Sequence, residues 1–350
     1  PGGRRGCAVT DRAGSRGVAW KSGGRGGSEG EVTFRTTGPW GGAIRITGVE
    51  GATFDALSNV FNITGYLQIS SNHLKNLSGL DKLTYLGDDL KILSNDSLVS
   101  LHGLEKLVSV GGSVLISDNE QLASIEGFSS LKTIVSGLTL SGTALTSLSG
   151  LEKLDSVAYI SLSGNDSLLN LTGLESLTHL NNSLSISQND NLVSLAGLEP
   201  LQSIGGNLYF YDNDLLPDFT GLNNIEHIGG DLEISSNPEL ATLTGLENLN
   251  SLGGGLAISW NGKLLHCAVQ GICTVLDEAS PIEISGNGAG CDSQAEVSQA
   301  CANATDCPYG ITLSSQSQID AFPSIYPNCS DLPGDLFLTL QNSNITNLRA

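Results

Sequence analysis

A Leu-x-Ile motif recurs along this chain, with an asparagine five residues after its first member, at intervals that are almost always twenty-four residues. First positions fall at Ile44, Leu67, Leu90, Val114, Leu138, Ile160, Leu184, Leu208, Leu232, Leu256 and Ile282. Self-similarity at a short fixed period marks a solenoid, in which each unit buries its apolar residues against the next. The two apolar residues of each motif are two apart, so a strand sends both inward and the residue between them outward. The expectation is a mainly β, right-handed solenoid of about ten to eleven turns.

The asparagines are Asn72, Asn95, Asn119, Asn165, Asn189, Asn213, Asn237, Asn261 and Asn287. A side-chain amide both donates and accepts, so stacked asparagines are expected to form an internal ladder that serves backbone groups left unpaired where the chain bends. Thr143 takes this place in the one turn whose interval shortens to 22, where an irregularity is expected. After each asparagine, leucines recur every third residue, as in Leu192, Leu195, Leu198 and Leu201. An α-helical stripe needs alternating steps of three and four, so a flattened coil without convex-side helices is predicted. Glycines keep two phases, one through Gly173, Gly197 and Gly221 and another through Gly205, Gly229 and Gly253, as expected of corners that need positive φ or close approach between turns.

The formal charge of −20 argues against nucleic acid as a partner, since phosphate binding draws on clustered Lys and Arg. Mean hydropathy is +0.04 and no apolar run approaches membrane-spanning length, so direct membrane insertion is not expected. Residues 1–30 are Gly-rich and hold six of the 16 basic residues, a composition that predicts disorder. The chain contains no methionine, which points to a processed or partial product.

Six cysteines, Cys267, Cys273, Cys291, Cys301, Cys307 and Cys329, crowd behind the last regular repeat. They read as a stapled cap over the final apolar face. The expected pairs are Cys267 with Cys291, Cys273 with Cys301 and Cys307 with Cys329, among the many connectivities that six cysteines permit. Zinc is the competing reading, but paired Cys-x-x-Cys knuckles are missing and His266 is the lone nearby histidine. Disulfides imply an oxidising setting outside the cytoplasm. Within the cap, Leu264 to Leu276 has helix-like apolar spacing, Pro281 to Ser285 supplies a last strand, and Ser293 with Glu296 forms a capping box that opens a helix ending at Cys301.

These strands and Asn turns, the Gly-Leu-Glu-x-Leu segments (Gly103–Leu107, Gly173–Leu177, Gly197–Leu201 and Gly245–Leu249) and the cysteine cap together resemble the receptor L-domain-like leucine-rich repeat proteins. The resemblance covers roughly residues 40–306 and implies an L-domain-like β-helix with a disulfide-stapled, partly helical C-terminal cap. It also implies a domain at 31–306 and, in residues 307–350, the truncated start of a second such unit, with a first strand at Leu336 to Leu338. Residues 31–60 lack the family's cysteine-bearing first cap and offer Glu31 to Arg35 as an edge strand instead.

A repeat array offers columns of like residues, whereas catalysis needs unlike groups brought together. The five histidines mostly fall at different phases, and Glu105, Glu152, Glu175, Glu199 and Glu247 form an acidic column read as solvated turn carboxylates in preference to a calcium bridge. No enzyme activity, metal or cofactor is implied. The outward strand face is the better candidate, with Ser117, Ser141, Ser163, Ser187 and Ser235 in one line and Gln68, Lys91, Thr139, Ser161 and Ser185 in the other. Against this polar ground stand Tyr209 and Tyr211, flanking an inward Phe210, with Trp260 two turns on in the adjoining bend. This aromatic group is the candidate ligand site. The resulting expectation is a non-catalytic extracellular or cell-surface module that binds protein or glycan. End-to-end self-association into a surface fibre, or ice binding through a hydroxyl ladder, are the alternatives. Nine glycosylation sequons are present, but those at Asn95 and Asn165 coincide with ladder positions expected to be buried.

Overall fold

The computed structural model describes residues 16–21, 31–36, 42–47, 54–303, 311–313 and 336–338. Its backbone is one parallel sheet laid down turn by turn. Eleven strands run from Gly42–Thr47 to Ile282–Ser285, each paired with the strand of the preceding and following turn. The register is that of the repeat: Ile44 pairs with Leu67, Leu67 with Leu90, and so on through Leu256 with Ile282. Equivalent side chains therefore lie in rows. The inward members are completely enclosed, as at Leu184, Ile186, Leu208 and Phe210.

The every-third-residue leucines fill the rest of the interior. Leu192, Leu195, Leu198, Leu201 and Ile204 are all at or below 1% exposure, so one turn contributes to every wall of the same core. Burying one leucine completely contributes about 2 kcal/mol, and the row repeats it in each turn. A second line of two-residue strands, among them Tyr85–Leu86, Ser203–Ile204 and His227–Ile228, pairs along another side of the coil. As the leucine spacing predicts, helices on the repeats are confined to two short 3-10 turns, Phe54–Leu57 and Glu126–Phe128, among the described residues.

The two glycine phases have different causes. Gly197 adopts φ 111, a left-handed conformation. Gly229 does not, but a Cβ there would lie 2.3 Å from the carbonyl oxygen of Gly205 on the turn below, so the corners stack too closely for any side chain.

Around Thr143 the coil changes. Strand Thr133–Thr143 runs unbroken from the short side row into the main sheet, and its neighbour Ser156–Ser163 does the same. The ordinary corner of Gly205, Gly206 and Asn207 has become Val135, Ser136 and Gly137, with Val135 60% exposed. A register shift between Ile134 and Gly137 absorbs the missing residue of the next turn. Gly137 gives way to the Tyr159 ring, which a Cβ would overlap.

The two ends of the stack are built differently. At the C-terminal end, Cys267–Cys291 and Cys273–Cys301 are disulfide-bonded as expected. Helices Gln270–Val275 and Gln294–Asn303 close the core, the first being shorter than the apolar spacing suggested. The second starts as the capping box predicts, with the Glu296 N–H donating to Ser293 Oγ at 3.3 Å. Its reciprocal half differs: the Glu296 carboxylate accepts from the N–H groups of Gly290 and Asp292. Cys307 and Cys329 lie outside the described residues.

At the other end the sheet continues beyond the first repeat. Glu31–Thr36, expected as an edge strand, pairs antiparallel with Gly42–Thr47, and Arg16–Lys21 pairs antiparallel with it in turn. The latter strand lies within the stretch whose composition predicted disorder, and its register sets Val18 opposite Phe34 and Trp20 opposite Val32. An apolar alternation too short to stand out from the glycines is enough when a sheet edge is available to pair with. In the segment beyond the cap, Ile311–Leu313 pairs in parallel with Leu336–Leu338.

Candidate ligand-binding face

The rigidity of any surface on this coil comes from the arch that follows each main strand. One residue there turns left-handed, and the next is the ladder asparagine. Ser71, Ser94, Asp118, Gln188, Asp212, Ser236 and Trp260 all hold φ between 52 and 60, with Gly142, Gly164 and Gly286 at the same phase. Small polar residues and glycine tolerate this conformation best. The sequence carries the signal as Ser, Asp or Gly before the ladder residue, with Gln188 and Trp260 as exceptions.

Asn189 shows what a ladder residue does. Its amide nitrogen donates to the carbonyls of Ser187 at 2.9 Å and Leu162 at 3.2 Å, and to Asn213 Oδ1 at 3.3 Å. Its own Oδ1 accepts the backbone N–H of Asn165 at 3.1 Å and the Asn165 amide at 3.3 Å. The same pattern runs through Asn72, Asn95, Asn165, Asn213, Asn237 and Asn261, all 1% exposed or less, and ends on half-buried Asn287. Thr143 has one hydroxyl proton, which goes to Asn165 Oδ1 at 2.7 Å. Among the described residues, no side-chain hydrogen bond joins Asn119 to Thr143.

The role of one further column, and a second column altogether, escaped the sequence reading. The acids of the Gly-Leu-Glu segments are not simply solvated turn carboxylates. Each folds back on its own turn to accept the N–H of the left-handed glycine: Gly150 to Glu152 at 2.9 Å, Gly173 to Glu175 at 2.9 Å, Gly197 to Glu199 at 2.8 Å and Gly245 to Glu247 at 2.8 Å. Asp81 and Asn223 do the same where glutamate is absent, and that interchange of acceptors two residues after glycine was the available clue. The second column lies just before the main strand, where Ser183 Oγ, Asn207 Oδ1 and Asp231 Oδ1 accept the N–H groups of Asn207, Asp231 and Gly255 on successive turns.

Upon this frame sits the strand Leu208–Tyr211. Phe210 is fully buried and meets Phe219 edge to face, ring centres 4.8 Å apart. The flanking tyrosines therefore point outward from an anchored strand, about 7 Å apart along it. Tyr209 is half-buried between Ser185 and Glu233, and its hydroxyl accepts a hydrogen bond from the Asn207 amide. Burial, then the Asp231 carboxylate, pushes its phenol above the ordinary value, so it stays protonated with a proton to offer. Tyr211 is 45% exposed between Ser187 and Ser235. Trp260 stands apart on the arch two turns away, about 10 Å along the stack. It is 69% exposed, and its indole lies against Gly286, where a Cβ would be 2.9 Å from Cε3. Its φ of 59 costs a bulky residue roughly 1–2 kcal/mol. The tyrosines thus share one face, and Trp260 belongs to its border.

His179 and His227 share a phase with Ser203 between them, and His227 Nδ1 contacts Ser251 Oγ at 2.8 Å. Buried Asn95 and Asn165 cannot accept a glycan in the folded state, whereas Asn62 and Asn181 are exposed.

The architecture defines a class: a mainly β parallel solenoid of about ten turns, with a disulfide-bonded C-terminal end. Residues 41–127 match the family model for the Receptor L domain, and the turns that follow repeat the same pattern in the same sheet. That match and the repeat architecture are consistent with a receptor L-domain-like repeat protein. Modules of that family are non-enzymatic ligand-binding units, extracellular in receptors. No curated protein matches the chain. No helix of the described residues is long and apolar enough to cross a membrane.

Proposed function

We propose that this chain is a non-catalytic recognition module of the cell exterior that holds a protein or glycan partner on its main strand face. One observation supports the reading above the others. Two outward tyrosines interrupt a face of small hydroxyl side chains, on a strand fixed from beneath by the Phe210–Phe219 contact. A rigid aromatic side chain loses little entropy on binding, and Tyr209 adds a directed hydroxyl. Trp260 would meet the same partner from the border, the exposed indole compensating for its strained backbone. The two disulfides fit a setting outside the cytoplasm.

The deciding experiment is a glycan array run beside an extracellular-protein display screen, with wild type and Tyr209→Ala/Tyr211→Ala compared on every hit. A partner of this face loses at least about 2 kcal/mol of binding on the double substitution, with Trp260→Ala smaller. Hits bound equally by both chains eliminate the tyrosine site.

A further inference from the structure

A second, separate surface lies on the far side of the asparagine arch. Four residues after each ladder asparagine, the chain shows a row of exposed apolar side chains: Leu169 44%, Val193 47% and Leu265 54% exposed, with Pro217 and Ala241 filling the turns between. The row is true to the stack, since the N–H of Val193 donates to Leu169 O at 3.1 Å and that of Leu265 to Ala241 O at 3.1 Å. Beside it, one residue after each asparagine, run Asp166, Asp190 and Asp214 on consecutive turns. None of the three carboxylates has a salt bridge or hydrogen bond among the described residues. Desolvation first, then the carboxylates of Asp166, Asp214 and Asp212, raises Asp190 above its ordinary value.

The fold does not require acids there, because Ala144, Pro238 and Gly262 follow the same arch in other turns. Nor does it require exposed Leu and Val, since Ala123 and Thr146 hold that row elsewhere. Like charges stacked at about 4.8 Å are mutually repulsive, and an unpaired apolar row faces water. Both are relieved by one occupant.

We propose that this strip docks a basic amphipathic helix lying along the solenoid axis, its Lys or Arg row on the three aspartates and its leucine-like row on Leu169 and Val193. A helix rises about 5.4 Å per turn against about 4.8 Å per coil, so its i, i+4, i+7 residues, about 10.5 Å from first to last, stay within about 1 Å of three successive coils. An extended partner repeats each face every 6.6–6.8 Å, roughly, and falls out of step sooner.

The test uses the full chain and a fluorescent synthetic helix carrying Lys and Leu on one face, followed by anisotropy at low and high salt. Asp166→Asn/Asp190→Asn/Asp214→Asn should weaken binding at least about tenfold and flatten its salt dependence. Leu169→Ser/Val193→Ser should weaken it by about as much while leaving the salt dependence intact. Glu233→Gln, on the strand face, and Tyr209→Ala/Tyr211→Ala should change neither, which separates this surface from the tyrosine site. Equal affinity for wild type and the triple asparagine variant overturns the proposal. So does undiminished binding of the same peptide with a proline at its centre. Concentration-dependent dimers that disappear in Leu169→Ser/Val193→Ser would make a second copy the occupant and would also overturn it.

Discussion

The turns from Asn165 to Asn261 and the turn that carries Thr143 meet the same difficulty by different means. In the regular turns the chain bends sharply twice, and each bend leaves carbonyl and N–H groups that only side chains on neighbouring turns can satisfy. Asparagine does this at the arch, and Ser183, Asn207 and Asp231 do it at the opposite corner. Around Thr143 the corner is straightened, the eleven-residue strand Thr133–Thr143 runs through it with a register shift between Ile134 and Gly137, and the Ser136 N–H donates to the backbone oxygen of Gly112 at 3.1 Å. The arch itself still bends there, with Gly142 at φ 60, and Thr143 serves it through one donated hydrogen bond where asparagine donates several.

The comparison breaks most readily at the ladder. Asn189→Ala would strand the carbonyls of Leu162 and Ser187 and the amide groups of Asn165, and should cost about 4 kcal/mol in denaturant unfolding. Thr143→Ala removes a single proton and should cost about 1–2 kcal/mol. Equal losses would refute the distinction. Corner packing gives the next effect: Gly229→Val should cost about 3 kcal/mol, because the new side chain meets Gly205 O, while Val135→Gly at the equivalent corner should change stability by less than about 1 kcal/mol. The cap follows. Replacing Cys267 and Cys291 together by Ala should cost about 3 kcal/mol and favour fraying from the C-terminal turns, which hydrogen exchange would locate.

A smaller effect sharpens the role of the glutamate column. Glu247 has its carboxyl raised above 4.5, burial being the main cause and the Gly245 N–H opposing it. With the folded value above the unfolded one, the charged carboxylate is a penalty at neutral pH that is relieved as pH falls through the folded value. Glu247→Gln keeps an acceptor for Gly245 and abolishes the titration. Wild type should therefore gain stability relative to Glu247→Gln as pH falls from neutral towards the ordinary carboxylate value. Parallel melting curves across that range would contradict it.

The fold was legible because its instructions are written many times over. Eleven repetitions of one motif set the register of every main strand, and the position of Thr143 with its shortened interval located the irregular turn. What was not legible depended on side chains choosing among several acceptors. A glutamate two residues after glycine looks the same in sequence whether it faces water or curls back on its own turn. Likewise Ser183, Asn207 and Asp231 are different residue types, and their common task appears only when the turns are stacked. The strand Arg16–Lys21 was hidden because edge pairing with Glu31–Thr36 makes a strand out of a sequence with little preference of its own. The repeat phase put Tyr209 and Tyr211 on the strand face and Trp260 in the adjoining bend, whereas the left-handed backbone of Trp260 had no counterpart in its residue type.

The ladder also has a direction. From Asn72 to Asn261, each ladder asparagine except Asn119 donates to the Oδ1 of the asparagine on the following turn, so these links all run one way along the axis. At the last turn the N–H of Asn287 finds Asp292 Oδ1 at 2.9 Å, and a carboxylate has no proton to pass on. Asp292 thus acts as a terminator for a polar chain, and the length of this array is written into its chemistry as well as its cap.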